Sequence, residues 1–186
     1  MIDVEVREWR EQDAEALQRA VVESVEHLRP WMPWAADEPH EVAWRRVWLR
    51  EQVAGREAGG DLFAGFFVRG EVVGAGGLHR RIGPGGLEIG YWVHVAWTGR
   101  GVATAAAGRL VEMAFEDPAV DHVEIHHDAA NVASGRIPGR LGFTLVDEHR
   151  REPQAPAELG VERVWRLERG ALTPAPAGPR ARLRSP

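Results

Sequence analysis

Trp97-Thr98-Gly99-Arg100-Gly101-Val102-Ala103-Thr104 is the stretch on which the fold of this chain turns. Before it runs a strand-like segment, Leu87 to Val95, and after it a small-residue helical segment, Val102 to Glu116. Ala103, Ala107, Leu110, Val111 and Ala114 recur at helical spacing and predict one buried stripe. Glycines in a strand-to-helix turn let the main chain approach a ligand closely, and a helix start offers N–H groups without partners. Both suit a pyrophosphate, and Arg100 can add a charge-assisted contact. A turn whose glycines serve packing alone is the bland alternative. A Walker loop fails, because no Gly-Lys-Ser/Thr is present. A dinucleotide fingerprint is closer: Gly99 and Gly101 fit, Thr104 stands where its third glycine belongs, and Glu124 and Asp128 lie where a ribose-binding carboxylate sits. That fold, however, needs several parallel strands, and here hairpin-linked strands lead into the loop.

Working outward, Val4 to Arg7 alternates as a strand. From Asp13, a plausible N-cap, Ala14, Leu17, Val21, Val25 and Leu28 trace a helix that Pro30 and Pro33 end. A second helix is expected from Pro39 to Glu57, with Val42, Val47, Leu49 and Val53 among its apolar positions and Gly59-Gly60 as its stop. Strands Leu62 to Arg69 and Val72 to Arg80, joined at Gly70-Glu71, read as a hairpin. Beyond the glycine loop, a strand His122 to His127, a short helix after Asn131, and strands near Phe143–Val146 and Val161–Leu167 complete a body of residues 1–169. Residues 170–186 lack periodicity and read as a disordered Pro/Arg-rich tail.

The composition removes several kinds of chemistry. The 186 residues include no cysteine, which excludes disulfides, thiolate metal sites and a cysteine nucleophile. All 23 basic residues are arginine, so no Schiff-base lysine exists. A net charge of -5 argues against a dedicated nucleic-acid binder, and no run of 18 apolar residues suggests a membrane span. The charged start, with Asp3, Glu5, Arg7 and Glu8, is not a signal peptide, so a cytoplasmic protein is expected. His122, Glu124, His126, His127 and Asp128 invite a metal hypothesis. On a strand, His122 and His126 lie about 13 Å apart at ~3.3 Å per residue, so no metal site is expected.

Four pieces in order, Glu88-Ile89-Gly90-Tyr91-Trp92-Val93, the glycine loop, Asn131-x-x-Ser134 and Leu141-Gly142-Phe143, resemble the GNAT superfamily of acyl-CoA N-acyltransferases. The resemblance spans residues 4 to 168 and is strongest to the RimJ/RimL type, whose members acetylate protein N-termini and small amines; Leu28 to Trp34 also resembles that branch. It implies one α/β domain with a mixed, mainly antiparallel sheet that splays at the loop and is flanked by helices. It further implies acetyl transfer from acetyl-CoA, the cosubstrate, to a primary amine by direct attack, the acceptor being a protein α-amine or a small molecule. A monomer or homodimer is expected.

Carried over by position, Gly99, Arg100, Gly101, Val102, Ala103 and Thr104 would cradle the CoA pyrophosphate, with Thr98 replacing the arginine or glutamine that usually begins the motif. Val93 and Val95 would pair with pantetheine through their backbones, and a backbone N–H near Val93 would meet the thioester carbonyl. Asn131 and Ser134 would anchor the CoA arm, although Pro138 and Gly139 predict a short or irregular helix there.

The chemistry needs a neutral amine, a polarised carbonyl and a protonated leaving thiol. An α-amine, with a pKa of about 7.7–8.0, is roughly one-tenth neutral near pH 7, so a weak base or a water chain suffices. Glu88, acting through water, is the expected base. No tyrosine follows Tyr91, so Ser134 is the expected proton donor to sulfur. Trp31, Trp34, Tyr91 and His79 are expected to line the acceptor pocket. Thr98 and Pro138 keep open a CoA-sensing protein that has lost catalysis.

Overall fold

The computed structural model describes residues 2–171. Its elements are β1 (Glu5–Glu8), α1 (Ala14–Leu28), α2 (Val42–Glu57), β2 (Leu62–Val68), β3 (Glu71–His79), β4 (Gly86–Val93), α3 (Val102–Ala114), β5 (His122–Asp128), α4 (Val132–Arg140), β6 (Thr144–Arg150) and β7 (Val161–Glu168). One seven-stranded sheet has the order β1-β2-β3-β4-β5-β7-β6. Every pairing is antiparallel except β4 with β5. One parallel pair cannot make the doubly wound sheet that a dinucleotide-binding reading requires. Of the expected tail, residues 172–186 lie outside the described residues; Arg169–Ala171 form a last 3-10 turn.

Alternation along the strands sends odd residues of β4 and β5 to one face and even residues to the other. Leu87, Ile89, Val123 and Ile125 join Val102, Ala106, Leu110 and Val111 in the larger core, under α3. The opposite face buries Phe67, Val72 and Ala75 against Leu17, Val21 and Leu49 of α1 and α2. These two helices cover only the β1–β4 half of that face.

Several local expectations shift. Asp13 does not cap α1; its carboxylate takes Arg7 (2.7 and 3.0 Å) and the Arg10 N–H (2.8 Å) instead, and α1 begins on a 3-10 turn. The helix α2 starts three residues later than expected, and Val47 and Val53 are exposed because Arg45 and Leu49 take the buried stripe. The β2–β3 turn is centred on Arg69 and Gly70 (φ 51° and 80°), one residue earlier than expected, since a two-residue hairpin of this hand needs both central residues at positive φ. The strand expected to reach Val95 ends at Val93.

Candidate active site

The pairing of β4 with β5 covers only Gly86–Glu88 against His122–Glu124, whereas β4 stays paired with β3 as far as Val93. From Ile89 onward the two strands part, and the β4 backbone facing the gap is left without strand partners. Backbone polar groups need partners. A ligand carrying its own amides can supply them in such a fork.

At the open end the chain turns through His94, whose ring accepts the Ala96 N–H (3.1 Å), into a 3-10 turn, Val95–Trp97. The Val95 N–H is therefore not available for pantetheine: it donates to Ser24 Oγ of α1 (3.1 Å). Of the two residues expected to pair with pantetheine, only Val93 lies in β4. Thr98 folds back, its hydroxyl donating to the Val95 carbonyl (3.0 Å). Gly99 and Gly101 sit at φ 71° and 84°, where a side chain would be strained, and neither packs closely against a neighbour. The glycines thus serve conformation rather than packing. Among the described residues no side chain caps α3. The first-turn N–H groups of Val102, Ala103 and Thr104 consequently point at the loop without intrahelical partners, and the helix dipole adds positive potential there. Arg100 is exposed, with its guanidinium 5.1 Å from the Trp97 ring centroid.

Across the fork, Asn131 caps α4, its Oδ1 accepting the Ser134 N–H (3.1 Å). Ser134 Oγ in turn lies 3.1 Å from the Tyr91 hydroxyl of β4, so one hydrogen bond spans the gap. Burial pushes the Tyr91 phenol up to about 12, so it is a proton carrier at neutral pH and not a base. Tyr91 therefore stands on the α3/α4 face beside Ser134, away from Trp34 and Glu88. The helix α4 does not stop at Pro138; it runs on to Arg140 with that proline buried, and closes beside Gly142 at φ 83°.

Of the side chains expected to line the acceptor pocket, Trp34 and His79 stand over the even-numbered face of the fork, and Tyr91 does not. Trp92 packs on Trp34 (ring centroids 6.1 Å), which is 39% exposed. Trp31 follows α1 in the same segment, whose Pro30 carbonyl accepts the Ala157 N–H from the β6–β7 loop (3.0 Å). Two loops thus meet over this face. His79 lies above Gly90, its Nε2 3.2 Å from where a Cβ would stand, and its Nδ1 is 2.8 Å from Asp61 Oδ2. Glu88 is buried where the fork begins, and both its oxygens are held by Arg81 (2.7 and 2.5 Å). Burial alone would raise its pKa, but the Arg81 guanidinium holds it below the usual carboxylate range. So held, Glu88 suits anchoring an ammonium better than removing a proton from it.

Sequence reading missed the supports of this face. Asp128, at the end of β5, accepts N–H groups from Ala130, Leu159, Gly160 and Val161 (2.9–3.1 Å) and so pins the β6–β7 loop. Glu38 and Arg45 form a buried ion pair that Gln18 joins, tying the Trp31–Trp34 segment to α1 and α2. An Asp followed two residues later by Ala130-Asn131 hinted at a turn; no local signal marks Glu38 or Arg45. Among the described residues no group of three or more His, Asp or Glu is arranged to hold a metal, and no helix is long and apolar enough to cross a membrane.

Residues 3–144 match the Acetyltransferase (GNAT) domain family. The chain belongs to the GNAT acetyltransferases. A putative ribosomal N-acetyltransferase of Bacillus subtilis, YdaF, is 30% identical over 149 residues, covering 75% of this chain and 77% of that protein. Among solved structures, RimL, a ribosomal L7/L12 alpha-N-protein acetyltransferase in complex with coenzyme A, superposes with a TM-score of 0.81 at 18% identity, over 90% of this chain and 95% of that one. Mycobacterium smegmatis RimJ in complex with CoA-disulfide gives 0.81 at 24%, over 91% and 83%. The forked sheet is therefore a GNAT sheet, and the RimJ/RimL type is the branch this GNAT chain resembles.

Proposed function

We propose that this GNAT acetyltransferase moves the acetyl group of acetyl-CoA onto a primary amine in the cytoplasm, a protein N-terminal α-amine being the favoured acceptor and a small-molecule amine the second. One observation carries the reading. The fork has main-chain donors and an uncapped helix start on one side, and an aromatic, carboxylate-lined face on the other. The first side suits an anionic, amide-bearing CoA, and the second a cation on a short chain.

In this reading Gly99, Arg100, Gly101, Val102, Ala103 and Thr104 hold the pyrophosphate, and Val93 pairs with pantetheine. Asn131 sets the start of α4 so that Ser134 stands near the sulfur. Trp31, Trp34 and His79 border the acceptor, and Glu88 anchors its ammonium directly or through a water. The neutral amine attacks the thioester carbon, the carbon–sulfur bond breaks, and the thiolate takes a proton from Ser134 Oγ. Tyr91, hydrogen-bonded to that oxygen, returns a proton to it, and the proton lost by the new amide nitrogen restores the balance.

Since the chain has no cysteine, a thiol reagent reports only released CoA. Calorimetry with acetyl-CoA, followed by thiol release with peptides starting in free Ser or Ala and with the same peptides N-acetylated, tests the proposal. Micromolar acetyl-CoA binding and release with free N-termini alone is the expected result. Binding without release for every amine, small ones included, would leave the CoA-sensing alternative.

A further inference from the structure

On the acceptor face, His126 of β5 lies one pleat beyond the end of the β4–β5 pairing. Its Nε2 is 2.7 Å from Glu124 Oε2, while the other oxygen of Glu124 takes two N–H groups from Arg166 (2.8 and 2.6 Å). An ionised carboxylate only accepts hydrogen bonds, so Nε2 is the donor and the neutral ring carries its lone pair on Nδ1. Among the described residues that atom has no hydrogen-bond donor opposite it. Its neighbours are Glu88 Oε2 and Glu162 Oε2, each 3.8 Å away. Both are acceptors, so neither fills the lone pair on Nδ1. The ring is 19% exposed on its side chain, so it is open enough to meet a substrate. A histidine oriented by a carboxylate through one nitrogen, with the other nitrogen presented to the reacting group, is the arrangement of a general base.

We propose that His126, held by Glu124, removes the proton from the acceptor ammonium at Nδ1, with Glu124 as its positioning residue. The inference deepens the acetyl-transfer reading and rests on it. The step balances simply. One N–H bond of the ammonium breaks, its pair stays on nitrogen as the attacking lone pair, and the proton resides on Nδ1 until it passes to water. Glu88, closed by Arg81, keeps its charge throughout and holds the amine in place. Glu88, Glu124 and Glu162 face the ring, and the charged and titratable groups around these three carboxylates are Arg81 in the turn before β4, His79 on β3, His122 on β5, His149 on β6, Arg151 after it and Arg166 on β7.

The test compares wild type with His126→Gln and Glu124→Gln on the free-Ser peptide across pH 6.5 to 9.5, with melting temperature and acetyl-CoA affinity as folding controls. At pH 7 only roughly one-tenth of an α-amine is neutral. His126→Gln should therefore lower kcat/KM by about 10- to 100-fold there. The deficit should shrink toward wild type above about pH 9, where the amine loses its own proton. A deficit of the same size at every pH would mark a structural role and overturn the proposal, as would full activity at pH 7. A second readout needs no turnover: nitrogen NMR of the ring should show the neutral form protonated on Nε2, and Glu124→Gln should redistribute the tautomers. A neutral ring protonated on Nδ1, or one doubly protonated through pH 8, would overturn it. If wild type releases no CoA with any amine, the acetyl-transfer reading fails instead, and the tautomer measurement still decides whether the base geometry exists.

Discussion

On the α3 face of the fork the groups available to a ligand are mostly main-chain: unpaired β4 amides, a turn with Gly99 and Gly101 at positive φ, and the bare start of a helix. On the opposite face they are side chains from β3, β4, β5, β7 and the loop before β4, held by ion pairs such as Arg81–Glu88 and Arg166–Glu124. In the proposed reading the first face is the donor half, fixed by local chain geometry and suited to one constant cosubstrate. The acceptor half depends on contacts between distant segments, each of which can change independently, and suits a substrate that differs among relatives. A substitution on the first face should abolish binding of one known molecule. One on the second should change rate, selectivity or stability while leaving that binding intact.

The sharpest way to break this division is Gly101→Glu. At φ 84° a non-glycine residue is strained, and the new carboxylate would oppose a phosphate at the helix start. Acetyl-CoA affinity by calorimetry should fall about 100-fold or more, equivalent to ~2.7 kcal/mol, in a variant that still melts cooperatively. Affinity within threefold of wild type would remove the loop from the donor site.

Asp128→Ala strikes the other half. Four backbone N–H groups would lose a buried acceptor, and denaturant unfolding at pH 7 should show a loss of about 2–4 kcal/mol. Acetyl-CoA affinity of the folded variant should be unchanged. Burial opposes ionisation of Asp128, but the four N–H groups outweigh it and hold its pKa below the usual carboxylate value. Stability from a depressed carboxylate is complete above its unfolded pKa of about 3.9 and disappears as pH falls through the folded value. The gap between wild type and Asp128→Ala should therefore narrow below about pH 4. A gap that does not vary down to pH 2 would show that packing, not charge, sets it.

The same division explains what the sequence disclosed. The glycine loop, the starts of α3 and α4 and the β2–β3 hairpin are local features with local signals, and each was legible to within one residue. Val95 was misread as strand because its N–H partner, Ser24, lies 71 residues away. Glu88 was singled out as the expected base, but its pairing with Arg81 depends on the path of the turn between β3 and β4. His126 and Glu124 stood out in sequence as a metal-like cluster. Their relation to Arg166 and Glu162 exists only after β7 pairs with β5 across 42 and 36 residues of chain. Glu38 and Arg45 carry no local signal, because their pairing exists only where two helices and a loop enclose them.

Tyr91→Phe tests the side-chain bond that joins β4 to α4 across the fork. It keeps the ring in the core and removes the hydroxyl that reaches Ser134. If Tyr91 reprotonates Ser134, kcat should fall by about 3- to 10-fold, in line with the loss of one hydrogen bond. Affinity for acetyl-CoA should stay within twofold. An equal fall for acetyl-CoA affinity would instead mean that the bond sets the width of the fork.

Trp34→Ala should have the smallest effect on the protein and the most selective one on the reaction. The ring is 39% exposed, so removing it costs little burial, and the melting curve should move by less than that of Asp128→Ala. Its partner Trp92 would remain on β4, fixed by strand pairing with Ala75. What disappears is the outer half of an aromatic wall, beside the loops that meet at Pro30 and Ala157. KM for the free-Ser peptide should rise by about 3- to 5-fold, a loss of under ~1 kcal/mol, with kcat and acetyl-CoA affinity unchanged. This pattern separates an acceptor wall from a structural staple, because a staple would lower stability and kcat together. A small amine such as ethylamine, too short to reach the wall, should be acetylated equally by wild type and variant. Loss of activity toward both acceptors would place Trp34 in the scaffold and leave Trp92 alone to border the amine.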